Sequence, residues 1–167
     1  MDRPRRRGEL ANRELTQLET LAATTAQPTP GAADLITAAH QTGRTVTIVS
    51  NNSSHAITQY LADHHVPAHI TAIIGRDDSD PALMKPSPYR VRIAVGSLQA
   101  EPEDCVFIGD TLTDVLAGLL GGVTVIGYAN KPGKTEALTR AGAQAVTSDL
   151  AEITTALHAT PGAALPN

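Results

Sequence analysis

The sequence predicts an α/β fold, a doubly wound parallel sheet with helices on its faces. Three observations predict it. Short β-branched runs recur from about residue 45 onward, helical stretches alternate with them, and polar residues gather just after the runs. A chain of 167 residues, 41% of them hydrophobic, is long enough for one such core and short for two.

The elements follow in order. A basic opening, Arg3, Arg5, Arg6 and Arg7, reads as a solvated, unstructured start. From Glu9 to about Thr25 a helix is expected, because Leu10, Leu15, Leu18 and Leu21 recur near helical spacing among good helix formers. Pro28 and Pro30 stop it, and Gly31 to about Gln41 reads as a second helix ended by Gly43. Thr45 to Val49 is a short buried strand. Ser53 or Ser54 can cap the next helix, which runs to about His64. His69 to Ile74 is a second strand, and Ser87-Pro88 opens a helix to about Leu98. Cys105 to Ile108 is a third strand, with a helix from about Thr111 to Leu120 closed by Gly121 and Gly122. Val123 to Ile126, a helix near Thr135 to Ala141, a weak strand from Gln144 to Val146 and a helix from Leu150 to Leu157 complete the alternation. Residues 161–167 read as a disordered tail.

Composition excludes several function classes. Thirteen Lys plus Arg against 17 Asp plus Glu give a net charge of −4, so no general attraction to nucleic acid is expected. No apolar run approaches the roughly 18 residues of a membrane span. The charged start is not followed by an apolar segment, so a cytoplasmic protein is expected. The single cysteine, Cys105, cannot form an internal disulfide and reads as a buried, inert filler. With aromatics at 2%, the core is built from Ala, Val, Ile and Leu, which implies a modest stability margin.

Ligands of a parallel sheet bind beyond the C-terminal ends of its strands, so the residues there are the candidates. They are Ser50-Asn51-Asn52 after the first strand, Lys85-Pro86 before the helix that follows the second, and Gly109-Asp110-Thr111-Leu112-Thr113-Asp114 after the third. A hydroxyl, a lysine and a carboxylate pair suit a phosphate group with a divalent cation. Lysine offers a point charge to phosphate, and carboxylates offer the hard oxygen that Mg²⁺ takes. Plainer readings stand beside this one. Ser50 and Asn52 also suit a helix cap, Lys85 a solvated lysine, and Asp110 a carboxylate favoured at a helix start. His64, His65 and His69 fit the end of a helix dipole better than a metal cluster, and Asp77, Asp78 and Asp80 read as a solvated acidic loop.

Taken together, "TVTIVSNNS", "LMKPSPYRVRIAVGSL" and "CVFIGDTLTDVLAG" resemble the second, third and fourth motifs of the haloacid dehalogenase-like (HAD) phosphatase superfamily. "VIGYANKPGK" is similar to the next loop of phosphoglycolate-phosphatase-like members. The resemblance covers roughly Pro28 to Leu157. It implies that Ser50, with Asn51 beside it, binds the transferring phosphoryl group. Lys85 would balance negative charge, Asp110 would ligate Mg²⁺ and Asp114 would support that site. It implies a small phosphorylated metabolite as substrate.

The family's nucleophile lies in a D-x-D-G-T motif after a first strand, and no such string occurs in these 167 residues. Upstream of Ser50 the aspartates are Asp2 and Asp34, with Pro4 and Ile36 two residues beyond them. The expected architecture is therefore a HAD/Rossmann-like core with its first strand and most of its cap missing. Residues 1–27 form a basic tail plus remnant cap helix, residues 28–160 the core and residues 161–167 the tail. Negligible turnover is expected without the nucleophile, and weak Mg²⁺ binding or none. Three functions fit: a phosphatase fragment, a non-catalytic HAD-like pseudoenzyme, or a doubly wound interaction domain. In the family the first strand lies between those ending at Ser50 and Gly109. Two outcomes are open, direct pairing of these strands or a gap able to take a strand from a partner chain. Direct pairing is expected, with marginal stability.

Overall fold

The computed structural model describes residues 3–160. Among them are seven α-helices and five strands, and every strand pair is parallel, as the α/β reading requires. In chain order they are α1 (Arg3–Ala23), α2 (Ala32–Gln41), β1 (Val46–Val49), α3 (Ser54–Asp63), β2 (Ile70–Ile74), α4 (Tyr89–Ser97) and β3 (Val106–Gly109). Then follow α5 (Leu112–Gly121), β4 (Thr124–Tyr128), α6 (Lys134–Arg140), β5 (Ala145–Thr147) and α7 (Leu150–Ala159). Short 3₁₀ turns at Pro81–Leu83 and Pro102–Asp104 precede α4 and β3. The expected elements are all present, most with ends displaced by a residue or two, while α1 begins at Arg3 rather than Glu9. Asp2 and residues 161–167 lie outside the described residues.

The expected direct pairing does not occur. Among the described residues the strands form two sheets, β1-β2 and β3-β4-β5, and no ladder joins β1 to β3. The helices bridge the two sheets. On one face α4 packs on β1, β2 and α5, while α5 packs on β3 and β4. Val49 of β1 and Phe107 of β3 both pack on the cluster of Val91, Ala117 and Val123. The two helices also pack on each other, so helix packing rather than a strand ladder joins the two sheets.

Backbone direction identifies the groups that face the slot. Ser50 N–H donates to Ile74 O, so Ile48 and Ser50 point toward β2 and the alternate residues Thr47 and Val49 point away. Thr124 N–H donates to Cys105 O, so Cys105 and Phe107 point toward β4 while Val106 and Ile108 face the slot. Burial matches this geometry. Every residue of β1 is half-buried and Val106 is 57% exposed, whereas Val125 in the middle of the three-stranded sheet is fully buried.

The basic opening is not unstructured: Arg3, Arg5, Arg6 and Arg7 form the first turns of α1. The leucines that make α1 legible as a helix are not what docks it, since Leu10, Leu15, Leu18 and Leu21 are all exposed. α1 packs on α3, buries Ala23 and is fixed by Glu19. That carboxylate accepts from Arg76 Nη2 through both oxygens at 2.7 Å, and from Ser53 N–H at 2.8 Å.

Candidate active site

The C-terminal ends of β1 and β3 open into one cavity of about 410 Å³, lined in part by Ser50, Lys85, Asp110, Asp114 and Asn130. Since both strands end at the same cavity, they run in the same direction. Four of the five expected site residues therefore meet at one place. The fifth, Asn51, acts behind it: its Oδ1 accepts from Lys85 N–H at 2.8 Å and its Nδ2 donates to Lys85 O at 3.4 Å. Both ends of the Asn51 side chain thus hold the main chain that carries Lys85.

Ser50 Oγ accepts from Asn52 N–H at 3.1 Å, which leaves its own hydrogen available to a ligand oxygen. The Ser50 N–H is already committed to Ile74 O. The cap of α3 is Ser53, whose Oγ accepts from Ala56 N–H. Arg76 supports this turn from beneath, donating through Nε to Asn51 O at 3.1 Å.

Lys85 Nζ lies 2.5 Å from Asp114 Oδ1, an ion pair across the slot. Asp114 Oδ2 accepts from Asp110 N–H, Thr111 N–H and the Thr111 hydroxyl. Thr111 Oγ1 in turn accepts from Asp114 N–H and closes a capping box on α5. Burial pushes the Asp114 carboxyl up, but Lys85 and the Thr111 donors outweigh it, and the group sits below its ordinary value. Gly109 makes this approach possible: a Cβ there would stand 2.3 Å from that of Asp114.

Asp110 points to a different partner. Its Oδ2 accepts from Lys134 Nζ at 2.8 Å and Asn130 Nδ2 at 2.9 Å, and its carbonyl accepts from Lys134 Nζ at 2.7 Å. Neither Asn130 nor Lys134 is among the residues expected at the site. The signal was available, since the loop follows β4 at the same sheet edge.

The acidic loop is solvated as expected, with Asp77 and Asp80 exposed, but its carboxylates also have protein partners. Asp78 pairs with Arg90 at 2.8 Å, Asp77 accepts from Ser54 N–H and Oγ, and Asp80 caps the first 3₁₀ turn. Arg90 is 1% exposed and also donates to Gly75 O and Leu83 O, which fixes the chain just before Lys85. Cys105 is half-buried rather than buried; burial and the neighbouring Asp104 charge push its thiol up, away from reactivity.

The described residues do not by themselves fit Mg²⁺. Both Asp114 oxygens and Asp110 Oδ2 are engaged by protein cations or donors. Among the described residues no three His, Cys, Asp or Glu side chains stand close enough to hold a metal. No helix among them is long and apolar enough to cross a membrane.

Comparison with known proteins agrees with this geometry. A family model described as haloacid dehalogenase-like hydrolase matches residues 5–122. Pyrophosphatase PpaX of Anoxybacillus flavithermus is 30% identical over 96 residues, covering 58% of this chain and 44% of that protein. Phosphoglycolate phosphatase of Salmonella paratyphi A is 26% identical over 98 residues, covering 59% of this chain and 38% of that protein. The chain thus spans less than half the length of these curated relatives. A solved HAD family hydrolase from Deinococcus radiodurans, with bound phosphate and sodium, superposes with a TM-score of 0.70 at 28% identity. That match covers 85% of this chain and 66% of the other. With strands, motifs and family model in agreement over most of its length, the chain belongs to the haloacid dehalogenase-like hydrolase family.

Proposed function

We propose that these residues are the C-terminal part of a phosphomonoester phosphatase core acting on a small phosphorylated metabolite in the cytoplasm, with no nucleic-acid or membrane partner. One juxtaposition carries the reading: Ser50 and Lys85 on one side of the slot face Asp110 and Asp114 on the other, at the ends of two parallel strands. Ser50 Oγ–H donates to a phosphoryl oxygen and the Lys85 ammonium offsets its charge. Asn51 and Arg90 keep Lys85 at that place. The names of the relatives, a pyrophosphatase and phosphoglycolate phosphatases, support the substrate class.

Attack on phosphorus needs a nucleophile, and no D-x-D-G-T string occurs in the 167 residues. A further strand entering the slot, from a longer chain or a partner chain, would bring one to the same edge. Mg²⁺ dependence belongs to that assembled site. The chain by itself is expected to hydrolyse para-nitrophenyl phosphate, with Mg²⁺ present, no faster than a Lys85→Ala, Asp110→Ala double variant. Turnover lost in the double variant would place a nucleophile among these residues and overturn this account. The pseudoenzyme reading is favoured by one observation, the pairing of both site aspartates with lysines. Phosphate binding that persists without turnover after a D-x-D-G-T peptide is added would select it.

A further inference from the structure

α1 carries its apolar stripe on the side away from the body. At about 3.6 residues per turn, Leu10, Leu15, Leu18 and Leu21 share one face, and they are between 41% and 68% exposed. The opposite face, with Asn12, Thr16, Glu19 and Ala23, is the half-buried or buried one. A helix of a globular chain ordinarily turns its apolar stripe inward. Here the Glu19–Arg76 pair holds the helix with that stripe outward. Glu14 lies within the stripe, one turn from both Leu10 and Leu18. It is exposed, and no described side chain forms an ion pair with it.

A second unpartnered apolar surface lies on α4 and α5. Leu112, Leu116 and Leu120 repeat along one side of α5, Tyr89 and Ile93 along one side of α4, and all five are between 40% and 58% exposed. Arg92 joins the two helices, with its Nη2 donating to Leu120 O at 2.9 Å. It also lines a cavity of about 510 Å³ with Leu83, Tyr89 and Ile93. Arg92 is the only exposed charged side chain on either helix, and its other N–H groups have no partner among the described residues. Patches of this kind mark interaction surfaces.

We propose that a second copy of this chain covers both surfaces: the leucine face of α1 in one copy seats on the α4–α5 surface of the next, with Glu14 against Arg92. Leucines about one and two turns apart are the anchors by which an amphipathic helix docks on an apolar surface, and the cavity beside Tyr89 and Ile93 gives one of them room to enter. Charge selects this pairing. Two α1 stripes face to face bring Glu14 toward Glu14, and two α4–α5 surfaces bring Arg92 toward Arg92. Unlike surfaces join opposite charges. The contact is heterologous, so reciprocal use by two copies closes a dimer and one-way use extends a row. It involves neither the strand-end residues nor the open slot.

Sedimentation velocity of the intact chain over a concentration series tests this. The average mass is expected to rise with concentration. Leu18→Glu, which spoils the α1 face, and Leu116→Glu, which spoils the α4–α5 surface, are each expected to sediment as monomers. Both positions are exposed, so the circular dichroism and urea midpoint of each variant should match those of the parent chain. Mixed, the two variants are expected to form a one-to-one complex, because each keeps the surface that the other has lost. Glu14→Arg or Arg92→Glu should weaken association about tenfold, and the two combined in one chain should restore it. These charge reversals decide the matter even where a leucine variant unfolds. A parent chain that stays monomeric would overturn the proposal, and so would leucine variants that do not combine. Association that survives either leucine variant would also overturn it, since pairing of like surfaces or of open strand edges would then be its source. Charge reversals without effect, or a double reversal as weak as the single ones, would do the same.

Discussion

Asp114 shows how one residue can combine structural and site roles. It caps α5, receives two backbone N–H groups of its own turn and pairs with Lys85 across the slot. Its carboxyl is held below the ordinary 3.8, so the charged form is favoured by folding. For a carboxylate lowered in this way, the stabilisation is complete above the unfolded value and is lost as pH falls through the folded one. The urea midpoint of the chain is therefore expected to drop on acidification below 3.8 by more than that of Asp114→Asn, which has no such proton to take up. At neutral pH, Asp114→Asn is expected to cost about 3–5 kcal/mol, because Lys85 is left buried without its partner. Parallel loss of stability by both proteins through the acid range would remove the pair as the cause. The sequence made Asp114 conspicuous by placing it four residues after Asp110 at a strand end. It could not show that the two aspartates serve different lysines, because Lys85 and Lys134 lie on opposite sides of them in the chain.

At the scale of elements, α1 is the clearest case of a correct helix with the wrong anchor. Its leucine pattern marks it as helical, yet a buried ion pair between Glu19 and Arg76, 57 residues apart, ties it to the body. Through Ser53 N–H and the Arg76 contact to Asn51 O, the same pair fixes the turn that presents Ser50. Glu19→Ala is expected to destabilise the chain by about 3–5 kcal/mol, since Arg76 is 4% exposed and would lose its counter-charge. The same variant should broaden or shift the amide resonances of Asn51 and Asn52. A variant with an unchanged urea midpoint would show that α1 is an appendage. Nothing in the local sequence distinguishes Glu19 from Glu9 or Glu14, because pairing over such a distance is decided by packing.

At the scale of the molecule, the open slot between β1 and β3 governs behaviour. Four residues, Thr47, Val49, Val106 and Ile108, direct backbone groups into it, as the alternation set by Ser50 and Cys105 shows. Their amides are expected to exchange with deuterium quickly, while Ile48, Phe107 and Val125, turned toward paired neighbours, exchange slowly. Uniform protection along β1 and β3 would mean that the two sheets close on each other in solution. The exposed edges also predict a marginal, aggregation-prone chain until a strand fills the slot.

By itself the sequence determined the α/β class, the order of the elements and four residues that meet at one cavity. It could do so because β-branched runs, caps and strand-end polar residues are local signals, and a parallel sheet places every strand end on one edge. The tertiary structure alone decided that β1 and β3 stand apart, that Arg76 and Arg90 are buried, and that Asp110 belongs to Lys134. These outcomes depend on how whole helices and strands pack and on charges brought together from distant parts of the chain. No short stretch of sequence encodes either.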